Sequence, residues 1–253
     1  MTNLYPKNFL NQVIIRIDFS NPIEELRSEI PKKLNTKALK FFPILEPRDA
    51  YLGHLSLEIT AKDSEDVPQF EKKKMKDWIY FGKDREKELH INVDALFIVY
   101  TKYESYKQLH DDLIAISEPL FSEFETFGIK RIGLRYINII SLSEANPTNW
   151  KKYLNKNLLC TFNLCDNQKI ISRAFHVLEL KIEDIQLRFQ YGMHNRDYPA
   201  IIRKKEFVLD FDAYFEGLIQ NPSEINSYLE KCRKPIKKLF EGCILDPLRD
   251  RMK

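Results

Sequence analysis

Residues 128–140 read GIKRIGLRYINII, a run in which side chains alternate with a period of two. That period belongs to a strand, not to a helix. Ile132, Leu134, Tyr136, Asn138 and Ile140 fall on one face, and Arg131, Gly133, Arg135, Ile137 and Ile139 on the other. The two arginines flank a glycine, which leaves a shallow space between two guanidinium forks. A carboxylate or a phosphate fits such a space through bidentate hydrogen bonds that lysine does not reproduce. The competing expectation is structural: Asp210 and Asp212 share a strand face in VLDFD and can fill the space as internal partners, because arginine is rarely buried unpaired. Arg131, Arg135, Asn138, Asp210 and Asp212 are therefore the candidate ligand-binding residues.

The remaining periodicity extends this strand into an α+β chain. Val13, Ile15, Ile17 and Phe19 alternate with Ile14, Arg16 and Asp18, a strand with one apolar and one mixed face. A helix is expected from Pro22 to about Lys33, capped by Ser20 or Asn21 and burying Ile23, Leu26 and Ile30. From Ala38 to Tyr103 strand patterns follow one another (ALKFFPIL, YLGHLSLEIT, DWIYFG, HINVDALFIVYTKY), which predicts an antiparallel meander. Tyr106, Leu109, Leu113, Ile116, Leu120 and Phe124 then recur at helical spacing, with Pro119 inside the stretch as a kink or a break into a second short helix.

The second half has the same style. A short helix near Asn146 or Thr148 precedes strands at ISRAFHVLELKI, DIQLRFQYGM, AIIRKKE and EFVLDFDAYF, and a helix follows from Pro222 and Ser223 to near Gly242, bent at Pro235. The expected fold is antiparallel sheets with helices packed on one face, in a single domain over 1–253 with two related halves, 1–127 and 128–253. Residues 61–77, the most polar stretch, are the expected surface arm.

Composition narrows the function. A net charge of +3 from 40 basic and 37 acidic side chains gives no global field for nucleic acid, so any basic site must be local. The local candidates are Lys72, Lys73 and Lys74, then Arg203, Lys204 and Lys205, with CRKPIKK at 232–238 as a third basic segment. Only seven glycines occur, and neither GxGxxG nor GxxxxGK[ST] is present. Cys160, Cys165, Cys232 and Cys243 lack metal-ligand spacing, as do the five histidines, so neither metal nor cofactor is expected. His110 beside Asp111 and Asp112 invites a metal or acid–base site, but successive residues of a helix face different directions, and His194, near Arg196 and Asp197 in a polar turn, reads as part of a hairpin tip. No nucleophile elbow, GxSxG or HExxH occurs, and no catalytic residue is assigned. The start of the chain lacks a signal-peptide pattern and no apolar run of about 18 residues exists, which predicts a cytoplasmic protein with reduced thiols and no membrane segment.

GIKRIGLRYINII, the later VLDFDAY and the closing IKKLFEGCILDPLRDRM together resemble an uncharacterised bacterial family of about this length. Its members occur sporadically among related strains and share an R-I-G-L-R-Y-x-N strand and a C-terminal amphipathic helix. The resemblance spans nearly the whole chain and carries no catalytic residues. It implies a bacterial accessory gene, with defence or toxin–antitoxin loci as the setting. The function expected is a non-catalytic binding protein with a protein partner, encoded nearby or a second copy of the chain. The alternative is a nucleic-acid or nucleotide-binding module using Arg131, Arg135 and the lysine-rich segments.

Overall fold

The computed structural model describes residues 5–56, 69–124 and 127–253, with the side chains of 50–56, 69–74 and 163 outside the description. The chain runs β1 (Leu10–Phe19), a 3-10 turn (Glu24–Arg27), α1 (Lys32–Phe41), β2 (Ile44–Leu45), β3 (Arg48–Ser56), β4 (Gln69–Phe81), β5 (Lys87–Ile91), β6 (Ala95–Tyr100) and α2 (Tyr106–Glu123). It continues with β7 (Ile129–Leu142), 3-10 stretches at Lys156–Leu164 and Gln168–Ile170, β8 (Ala174–Ile182), β9 (Ile185–Met193), β10 (Lys205–Ile219), α3 (Ser223–Cys243) and α4 (Asp246–Met252).

All strand pairs are antiparallel, in the order β2-β4-β5-β6-β1-β7-β10-β9-β8, with β3 pairing the earlier part of β4. The RIGLRY strand is β7, held between β1 and β10. One face of the sheet carries the core: Ile15, Leu134 and Ala213 are fully buried at registered positions on β1, β7 and β10. The helices cover this face, α3 bringing Ile225, Leu229, Cys232 and Ile236 and α2 bringing Leu109, Leu113, Ile116 and Leu120. The opposite face carries the alternate residues of each strand and reaches solvent. Among the described residues, no helix is long and apolar enough to cross a membrane.

The antiparallel α+β architecture and the helix from Ser223 agree with the sequence reading. The first helix does not. The segment expected to be helical from Pro22 holds only a 3-10 turn, and the true helix begins after Pro31. Pro31 disfavours the helical region for Ile30 before it and offers no N–H to an earlier carbonyl, and the Ile23–Ile30 stripe does not continue as one helix. Residues 38–41, expected as strand, instead form the end of α1, with Leu34 and Ala38 buried one turn apart. The helix expected near Asn146 is a set of turns followed by a nine-residue 3-10 stretch. The strand expected at AIIRKKE begins only at Lys205. Helices α2 and α3 run through Pro119 and Pro235 without breaking in two. Residues 61–68 of the expected 61–77 arm lie outside the described residues, and 69–77 are part of β4.

Candidate functional site

Three neighbouring strands compose the open face around Gly133. Their register sets Arg16, Gly133 and Tyr214 in one row, Asp18, Arg131 and Glu216 in the next, and Ile14, Arg135 and Asp212 on the other side. Period two puts every one of these side chains on the face away from the helices. A depression of about 490 Å3 lies here, lined by Arg16, Asp18, Phe97, Arg131, Arg135 and Asp212 among others.

The two arginines do not converge on one anion. Arg135 is closed by Asp210, with Nε donating to Oδ1 at 2.8 Å and Nη2 to Oδ2 at 2.6 Å, the planar fork matching the carboxylate. Asp210 is 5% exposed, so the pair neutralises a carboxylate that would otherwise be costly to bury. Arg131 folds across the glycine: its Cζ sits 4.2 Å from the centroid of the Tyr214 ring. A Cβ at residue 133 would lie 3.3 Å from Arg131 Nη1 and 3.2 Å from Tyr214 Cβ. The space that the sequence reserves for a ligand is therefore the bed of the Arg131 guanidinium itself. Its carboxylate neighbours are more distant, Asp18 and Asp212 each at 3.7 Å, and Asp18 also takes a 2.7 Å contact from Arg16 Nε. Arg131 thus keeps hydrogen-bond donors that no acceptor among the described residues saturates. Burial raises the pKa of Asp212, opposed by the charges of Arg131 and Arg135 and reinforced by Asp210.

Tyr214 donates to Gln186 Oε1 at 3.0 Å, extending the polar surface onto β9, where Arg188 lies 3.7 Å from Glu179. Toward β5, His90 stacks on Phe97 at 4.4 Å between centroids and contacts Asp77 and Glu88, each at 3.2 Å. Burial alone would lower the His90 pKa, but the two carboxylates outweigh it and raise it. The face is thus a mosaic of guanidinium donors, carboxylate acceptors and aromatic rings, with the charges largely offset.

Asn138 belongs elsewhere. It is buried on the helix side and donates Nδ2 to the Leu209 carbonyl at 3.2 Å. There it borders a cavity of about 150 Å3, with Tyr103, Tyr106, Tyr136, Phe211 and Arg233 among its other walls. The Tyr103 and Tyr136 hydroxyls meet at 3.3 Å, and burial pushes both pKa values up.

The lysine-rich segments do not form one patch. Lys72, Lys73 and Lys74 lie on β4, their side chains outside the described residues, while Arg203, Lys204 and Lys205 lead into β10. Five strand spacings separate β4 from β10, about 24 Å across the sheet. Arg203 and Lys204 are exposed, but Lys205 is buried: its Nζ donates to the carbonyls of Asn146, at 3.1 Å, and Asn149, with Glu144 Oε2 at 3.2 Å. Lys205 is an internal tie and is unavailable to a phosphate. In the third segment Arg233 stacks over Tyr106 at 4.2 Å.

His110 contacts its neighbour Asp111, and His194 sits in a turn whose carbonyl accepts from Arg173 Nε. Arg16, Asp18 and His90 belong to no site motif in the sequence. Parity places each on a mixed strand face, but only the strand order brings them beside Arg131 and Phe97. No protein-family model matches the chain, and no curated protein matches it.

Proposed function

We infer that the chain is a non-catalytic protein-interaction protein whose open sheet face receives a protein partner. The carrying observation is the composition of that face: Arg131 with unsaturated donors, Asp212 and Asp18 beside it as acceptors, and Tyr214 and Phe97 as rigid aromatic area. Arginine and aromatic side chains are what protein interfaces concentrate, and a polypeptide offers both carbonyl acceptors and amide donors to such a mosaic. A phosphate backbone would meet Asp18 and Asp212 beside Arg16 and Arg131, with the third guanidinium, Arg135, already closed by Asp210. The nucleic-acid alternative is further weakened by the separation of the basic segments and the burial of Lys205. A bacterial accessory or defence-associated locus and a cytoplasmic location are the setting that we propose for this activity, on the strength of the sequence resemblance.

The test is recovery of the chain from its own host, with native mass spectrometry of wild type and Arg131→Ser, the same samples being treated with nuclease. Arg131 is partly exposed and makes only long ion pairs, so the variant keeps its fold. A retained protein that resists nuclease and is depleted at least about tenfold by R131S supports the reading. A retained mass lost to nuclease, or a protein retained equally by R131S, overturns it.

A further inference from the structure

Strand β8 ends the sheet on one side, a regular nine-residue edge, AFHVLELKI, without proline. Edges of this kind are usually blunted, because unpaired N–H and C=O groups invite another strand. Here the side chains on the helix face are not covered either. Leu178 is 45% and Ile182 38% exposed, and with Leu180 and Leu239 of α3 they line an apolar groove of about 490 Å3 beneath the edge.

The hairpin geometry fixes which backbone groups are free. Ile182 and Ile185 flank the two-residue turn Glu183–Asp184 and form the hydrogen-bonded pair that closes β8 on β9. Counting back by two, Leu180 and Leu178 also turn their backbone groups toward β9. Those of Val177, Glu179 and Lys181 point outward.

We propose that β8 pairs antiparallel with β8 of a second copy of this chain, the two-fold axis passing between the two Leu180 residues; this rests on the reading of the chain as a protein-interaction protein. In that register Glu179 stands opposite Lys181 of the second copy, and Lys181 opposite its Glu179. These are the residues with outward backbone groups, so about four backbone hydrogen bonds form between the edges. Leu178 stands opposite Ile182 of the second copy on the helix face, and the two grooves close over each other's apolar strips. The segment Leu178-Glu179-Leu180-Lys181-Ile182 is thus complementary to itself reversed, in charge and in apolar pattern. Shifting the axis to Leu178 sets Glu179 opposite Val177 and loses the Glu–Lys match, and shifting it to Ile182 sets Glu179 opposite Ile185 and draws the turn residue Glu183 into the pairing. Arg188, which faces Glu179 from β9, stays on the open face in either state.

The experiment is light scattering after size exclusion at on the order of 100 µM chain, a concentration that populates a micromolar dimer. The proteins are wild type, Glu179→Lys, Lys181→Glu and the double exchange E179K/K181E. All three changes fall on exposed side chains of an edge strand, so folding is retained. Wild type and the double exchange are expected at twice the chain mass. Each single variant sets like charges opposite each other and is expected to dissociate at least tenfold more readily. The sharper expectation is that E179K mixed with K181E restores the dimer, because both pairs are then opposite in charge. A monomeric wild type, or a dimer indifferent to these changes, overturns the proposal. Arg131 lies on β7, three strands from the β8 edge, and R131S is expected to leave the dimer intact, so loss of the partner and loss of self-pairing are read separately.

Discussion

At the scale of single residues, the clearest consequence concerns Arg135. Its fork closes on Asp210, a carboxylate that is nearly inaccessible, whereas Arg135 itself is 37% exposed along its side chain. Arg135→Ala therefore leaves a buried carboxylate unpaired, and urea denaturation is expected to show a loss of about 2 kcal/mol, below the full range for a wholly buried pair because solvent reaches the arginine. Arg131→Ala at the same denaturant midpoint test is expected to cost under about 1 kcal/mol, because its ion pairs are long and partly exposed. Two arginines four residues apart thus have opposite characters. The pairing of Arg135 with an aspartate of the VLDFD strand was legible in the sequence as the structural expectation. Which aspartate takes it was not, because Asp212 is the residue in register with Arg135 and the fork reaches two residues along β10 to Asp210.

At the scale of elements, the tie between β5 and α2 shows how strand parity carries information that composition hides. Lys87 falls in phase with Leu89 and Ile91, the core face, and its Nζ contacts Asp112 Oδ2 at 2.6 Å, with the Tyr100 hydroxyl donating to the same oxygen and the ammonium 4.4 Å from the Phe42 ring centroid. Lys87→Met strands the buried Asp112 charge and is expected to cost about 3–5 kcal/mol. K87M/D112L removes both charges and is expected to recover most of that loss, since a buried pair is replaceable by apolar side chains of similar volume. A double variant no more stable than K87M would show that the Tyr100 hydroxyl, not the ion pair, holds the site together. Lys205 obeys the same parity, in phase with Phe207, Leu209 and Phe211, so its burial was readable from the alternation of β10. Reading RKK as a basic cluster overrode that signal.

At the scale of the whole molecule, stability should depend on pH through His90, which is tied to β4 and β5 carboxylates on the open face. Its pKa is raised on folding, so the folded state holds the proton more tightly than the unfolded chain. The resulting stabilisation is fully present below the ordinary histidine value of about 6.5 and is lost as pH rises through the higher folded value. Thermal melts of wild type and His90→Gln are expected to differ most below about pH 6.5 and to converge as pH is raised. A difference that is constant with pH would mean that stacking on Phe97, not charge, sets the contribution.

The sequence by itself determined the period of each element, and with it the faces: that Arg131 and Arg135 share a side with Gly133, that Asn138 points the other way, and that a long amphipathic helix begins at Ser223. These follow from local stereochemistry, since alternation along a strand does not depend on neighbours. Only the tertiary structure decided that Arg131 lies on Gly133 and Tyr214, that His90 stacks on Phe97, that the basic segments stand apart and that β8 is left as an edge. Each of those depends on which strands pair and in which register, a choice made by long-range burial and hydrogen bonding between segments far apart in the chain.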